Sequence, residues 1–136
     1  MEIFDAQPAR LYDAFTRPEF LSSWFTRNAV ADLQEGGVYS NADLDFGIFL
    51  KLDRPEHLCF SWENKNHCPN TIVDIQFKPL ANNRTEVRLQ HLGIDNPNGQ
   101  ADMIVSWKWA FASLKSFLKT GKPIAFESWQ SSDSGE

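Results

Sequence analysis

One amphipathic helix near the C-terminal end constrains this chain more than any other feature. From about Ala101 to Lys119, the residues Met103, Trp107, Ala110, Phe111, Leu114, Phe117 and Leu118 recur at spacings of three and four. That is one face of a helix with 3.6 residues per turn. The helix follows a run of short segments in which apolar and polar residues alternate. An apolar helix face must be covered by another layer, and the only layer on offer is a sheet. The order therefore predicts an α+β domain in which a curved sheet wraps one long helix and encloses a pocket between the two.

The strands are legible by their period. In His57 to Glu63, residues Leu58, Phe60 and Trp62 alternate with His57, Cys59, Ser61 and Glu63. In Ile72 to Lys78, Val73, Ile75 and Phe77 alternate with polar neighbours, and in Arg84 to His91 so do Val87, Leu89 and His91. Such alternation gives one wet and one dry face, as in an antiparallel sheet over a core. Asn82-Asn83 tolerates left-handed backbone and predicts a hairpin between the last two strands. Further strands are expected at Ala29 to Leu33, Val38 to Asn41 and Phe46 to Asp53, with a corner at Gly36-Gly37 and a turn at Arg54-Pro55-Glu56. Phe46, Ile48, Leu50 and Leu52 share one face of their strand and Phe49 the other, which points to a bulge or to a second contact surface at Phe49. Before these strands, Glu2 to Asp5 is a stub of strand. Pro8 opens a helix to Thr16, and Pro18 begins a shorter one in which Phe20, Leu21 and Trp24 share a face.

Composition excludes several classes. The 136 residues hold 18 acidic and 13 basic side chains, a net charge of −5, which is the wrong sign for nucleic acid or an anionic membrane. The cations near the end of the long helix, Lys115, Lys119 and Lys122, complement its negative pole. No segment approaches the roughly 18 apolar residues of a membrane span, and no secretory leader is visible. Cys59 and Cys68 make no disulfide framework and are read as ordinary thiols of a cytoplasmic, bacterial-type protein. Residues 1–130 form one domain, and 131–136, all Ser, Asp, Gly and Glu, are expected to be a disordered tail.

The order strand, two short helices, about six antiparallel strands and a long helix resembles the helix-grip fold of the START-like (SRPBCC) superfamily. Asp5 to Thr16 resembles its opening helix, and Pro18 to Phe25, ending in Trp24-Phe25, its second. Asp32 to Tyr39, with Gly36-Gly37, is similar to the double-glycine turn of one branch. Arg54 to Trp62 is similar to the hairpin that follows it, and Trp107, Phe111 and Leu114 to the closing helix. That branch is named after the C-terminal domain of the activator of the ninety-kilodalton heat-shock chaperone ATPase. The resemblance implies a cavity between helix and sheet and carries over no catalytic set. The first strand is shorter than is usual in such proteins. Either the chain is truncated or the sheet has a short exposed edge able to pair with a second copy as a homodimer.

Few polar residues are placed for chemistry. His91, on a dry face, is either a satisfied core histidine or a polar anchor or acid–base group at the cavity mouth. Asp43 and Asp45, flanking Leu44, are either a carboxylate pair for acid–base work or turn residues. His57, Cys59, Glu63, His67 and Cys68 lack the paired spacing of a structural zinc site, so no metal or other cofactor is assigned. Trp109 lies off the main helix face and reads as a surface aromatic, a type common in interfaces.

The sequence thus points to non-catalytic binding of a small hydrophobic or amphipathic molecule, with no nucleic-acid partner. The pocket would be lined by Trp24, Tyr39, Phe46, Trp62, Met103, Trp107 and Phe111, with His91 as polar contact. Two alternatives stay open. One is a protein-interaction module like the chaperone regulator, with a filled interior and an apolar surface patch around Phe49 or Trp109. The other is a cyclase- or hydrolase-like enzyme in which His91 meets Asp43, Asp45 or Glu63.

Overall fold

The computed structural model describes residues 1–64 and 68–134. Its elements run β1 (Glu2–Phe4), α1 (Pro8–Thr16), α2 (Pro18–Trp24), β2 (Val30–Ala31), β3 (Val38–Ser40), β4 (Phe46–Asp53), β5 (His57–Asn64), β6 (Cys68–Leu80), β7 (Arg84–Leu92), α3 (Pro97–Thr120) and α4 (Phe126–Ser134). The strands form one antiparallel sheet in the order β1-β7-β6-β5-β4-β3-β2. Each strand after β2 pairs with its sequence neighbour, and β1 returns to close on β7.

The period-two pattern places the core as expected. Leu58, Val73, Ile75 and Val87 are fully buried on the inner face, with Phe77 and Trp62 beside them. Across them lies α3, whose Met103, Trp107, Ala110 and Leu114 are buried. Ser113 ties α3 to α2 by donating its hydroxyl to the Trp24 carbonyl at 2.8 Å. The β6–β7 turn has both asparagines left-handed, Asn82 at φ 62° and Asn83 at φ 58°. Gly36 has φ 84°, the corner the double glycine was expected to supply.

Three boundaries differ from expectation. Helix α3 begins at Pro97, because Asn96 caps it by accepting from the Gly99 amide at 2.6 Å; the apolar stripe starts a turn later and hides this. Gly121 ends it in the left-handed region at φ 79°. Strand β6 begins at Cys68, four residues before its alternation does. The backbone of 131–134 continues α4, where a disordered tail was expected, because Phe126 packs its start against Trp109 at 5.8 Å.

The largest correction concerns β4. Its register slips between Phe49 and Lys51. On the N-terminal side of that bulge Asp45, Gly47 and Phe49 point inward, while Phe46, Ile48 and Leu50 are 40–43% exposed on the outer face. Beyond it Leu52 turns back toward the core. A one-residue slip exchanges the faces of every later side chain, which reconciles a buried Phe49 with a partly buried Leu52. Phe46 therefore faces away from α3, and Phe49, 4% exposed, is no surface contact. Among the described residues no helix is long and apolar enough to cross a membrane.

Candidate functional site: an aromatic cleft with a buried carboxylate

The space between α3 and the sheet is filled mainly by rings. His91 stacks on Trp62 with centroids 5.1 Å apart and planes 13° apart. Trp107 meets Trp62 edge-on at 5.2 Å and lies parallel to Phe25 at 6.2 Å. Offset and edge-on contacts of this kind add to the energy of burial alone. What remains open is a cleft of about 60 Å³ toward the α2–β2 side. Trp24, Phe25, Tyr39, Phe49, Trp62 and Trp107 form its aromatic walls, and Ala29, Val30 and Ala31 lie along the β2 side.

His91 is held in one tautomer by its partners. Trp107 donates its indole N–H to His91 Nδ1 at 3.1 Å, so Nδ1 is an acceptor and the proton sits on Nε2. Nε2 donates to Thr71 Oγ1 at 2.8 Å, and the Thr71 hydroxyl donates in turn to the Trp62 carbonyl at 2.7 Å. Burial lowers the imidazole pKa from 6.5 to about 4. Both ring nitrogens are thus committed to the core, and no carboxylate lies among their partners. His91 is the satisfied core histidine of the two readings.

Asp43 and Asp45 divide the two roles the sequence left open. The Asn41 side-chain oxygen accepts from the amides of Asp43 at 2.9 Å and Asp45 at 3.3 Å, and Leu44 is left-handed at φ 69°. That is turn chemistry. Asp43 then stays outside, accepting from the Thr26 hydroxyl at 2.7 Å. The Asp45 side chain goes inward and is 8% exposed. Its Oδ1 accepts from Trp62 Nε1 at 2.9 Å and Asn64 Nδ2 at 2.7 Å, and its Oδ2 from Asn41 Nδ2 at 3.2 Å. Tyr39 donates its hydroxyl to the Ser61 carbonyl at 2.6 Å. Burial first, then the charges of Asp45 and Glu63, push its phenol far above the ordinary range, so the ring is neutral.

Of the expected pocket residues, Trp24, Tyr39, Trp62 and Trp107 line the cleft. Met103 and Phe111 pack in the core nearby, with Phe111 edge-on to Phe4 at 5.8 Å. Phe46 lies on the opposite side of the sheet. Trp109 is partly buried, stacking on Phe25 at 5.9 Å and donating to the Ile124 carbonyl at 2.7 Å; the segment after α3 covers it. His57 pairs with Asp74 at 2.8 Å, away from the cleft, and burial raises the neighbouring Cys59 thiol pKa. His67 and the Cys68 side chain lie outside the described residues. Sequence reasoning missed Phe25, Phe49 and Asp45 as wall residues. The Trp24-Phe25 pair was a signal for the first; only the bulge that inverts β4 reveals the other two.

The outer face carries a second feature. Val30 and Val38 are each 64% exposed beside Phe46 and Ile48, and together they floor an open depression on β2, β3 and β4.

A seven-stranded antiparallel sheet gripping a long helix, with two short helices after β1, is the helix-grip fold of START-like proteins. Residues 5–119 match the model of the Activator of Hsp90 ATPase homolog 1-like protein family, and the chain belongs to that family. It is similar in structure to CalU16 from Micromonospora echinospora, at 23% identity and a TM-score of 0.77 over 88% of this chain and 74% of that one. An HSP90 activator from Plasmodium falciparum aligns at 22% identity and a TM-score of 0.73 over 90% and 94%. The Aha1 dimer from Colwellia psychrerythraea aligns at 22% and 0.77 over 89% and 94%. Identities this low speak for the fold alone. Among curated proteins, none matches the chain.

Proposed function

We propose that the chain binds a small hydrophobic or amphipathic molecule, without chemistry, in the cleft between α2, α3 and β3–β5. One observation carries this reading: the cleft stays open although large rings surround it, and its mainly apolar lining includes a few polar side chains, Thr26, Ser40, Asn41 and Asp45. Ligand sites combine a mainly apolar lining with a few fixed polar groups. The commitments of His91 favour binding over catalysis, since its nitrogens serve Trp107 and Thr71. Titration with benzyl alcohol, followed through the indole N–H signals, tests the reading. Trp24, Trp62 and Trp107 should shift and Trp129 should not, and Ala31→Phe, which fills the cleft from β2, should abolish the response. Equal shifts at all indoles, or an unchanged response in Ala31→Phe, would refute it.

A second reading rests on the outer face of β2–β4. Val30, Val38, Phe46 and Ile48 form a contiguous apolar surface of the kind that marks a protein contact. In this reading its occupant is a second copy of the chain or another protein; one structure of the same fold is a dimer. A monomeric sedimentation profile unchanged by Val38→Glu would remove the self-association form of this reading.

A further inference from the structure

The cleft has an electrostatic character that its apolar lining conceals. The indole N–H groups of Trp24, Trp62 and Trp107 donate to the Ala14 carbonyl, Asp45 and His91 respectively. The Tyr39 hydroxyl donates to Ser61. These four donors are therefore engaged within the protein and are not free to meet a ligand. The lining contains one ionisable acid, Asp45, and no Lys, Arg or His among the described residues. Asp45 is 8% exposed, yet its three side-chain partners are all neutral, and no described cation pairs with it. A carboxylate has about four acceptor positions, and three are filled. A buried anion ordinarily has a charged partner. Among the described residues the partners of Asp45 are neutral dipoles, and none supplies a counter-charge.

We propose that the cleft selects a compact organic cation, a protonated amine or quaternary ammonium with a small apolar body, held between the ring faces and paired with Asp45. Ring faces attract cations through their quadrupole, most strongly where water is excluded. The remaining acceptor position on Asp45 Oδ2, whose protein bond is the longest of the three at 3.2 Å, would take an ammonium N–H. A ligand anion would meet the Asp45 carboxylate, with no Lys, Arg or His among the described lining residues to receive it. The net charge of −5 acts in the same direction at longer range.

This proposal rests on the cleft reading and refines it, and a matched pair of probes separates the two. tert-Butylammonium and tert-butanol share one apolar body and differ in the charged head. Affinities at neutral pH would be read by calorimetry and by quenching of tryptophan fluorescence. The charged probe is expected to bind at least tenfold more tightly, with that advantage falling to about twofold or less in Asp45→Asn and persisting in Asp43→Asn. Equal affinity for both probes overturns the charge selectivity while leaving the cleft as a ligand site. Binding of neither probe overturns both readings. Because the comparison of probes is made first in the unaltered protein, an Asp45→Asn chain that fails to fold does not rescue the proposal.

Discussion

Acid should weaken this protein through His91 in a way that can be isolated from every other titration. In the folded state the ring is neutral, with its pKa at about 4 against an ordinary 6.5. The folded form therefore holds fewer protons than the unfolded form between those values. Stability from this group is fully present above pH 6.5 and is lost as pH falls toward 4. Each pH unit of that interval is worth about 1.4 kcal/mol, so a fully shielded ring would lose roughly 3 kcal/mol. His91 is only partly buried, and water screens the imidazolium, which reduces the expected loss to about 1–2 kcal/mol. The geometry gives the cause: protonated Nδ1 can no longer accept from Trp107, so two donors would face each other. Urea unfolding at neutral pH and near the low end of the interval, in the unaltered protein and in His91→Gln, isolates the effect. The unaltered protein should lose about 1–2 kcal/mol more than the variant on acidification. Parallel pH dependences in the two proteins would refute the assigned tautomer and the burial that enforces it.

The inverted β4 face makes an unequal pair of neighbours. Phe49→Ala should cost about 3–5 kcal/mol and Phe46→Ala about 1 kcal/mol or less, a contrast that chemical denaturation measures directly. Equal costs would return both residues to one layer. Asp45→Ala should lose about 2–4 kcal/mol, because Trp62 would keep a buried indole N–H without an acceptor and Asn64 would lose one of its acceptors; Asp43→Ala, at the exposed turn, should lose about 1 kcal/mol or less. Leu114→Ala, at a fully buried position on α3, should lose about 2–5 kcal/mol in the same assay.

Much of the architecture was legible because it depends on patterns that act over short distances. The alternation in β5, β6 and β7, the paired asparagines and the stripe on α3 each state a local requirement that one arrangement satisfies. The starts of α3 and β6 were less legible, since Asn96-Pro97 and Cys68 to Thr71 carry capping and pairing information without apolar periodicity. In β4 the pattern misled: Phe46, Ile48, Leu50 and Leu52 outnumber Phe49, so counting favours the wrong face. The deciding interactions are long-range. Asp45 reaches Trp62 and Asn64, and Gly47 runs so close to β5 that a Cβ there would sit 2.0 Å from the Ser61 carbonyl oxygen. Neither can be deduced from β4 alone. The same limit applies to the site. Its Trp and Tyr residues were identifiable as inward-facing, whereas the carboxylate among them depends on that bulge.

Native mass spectrometry of protein purified without unfolding tests the central claim most directly. If the cleft is a ligand site, the unaltered protein should carry, or take up on addition of tert-butylammonium, a small molecule that denaturation releases and that Ala31→Phe excludes. An Ala31→Phe protein that retains the same molecule to the same extent would contradict the assignment of the cleft.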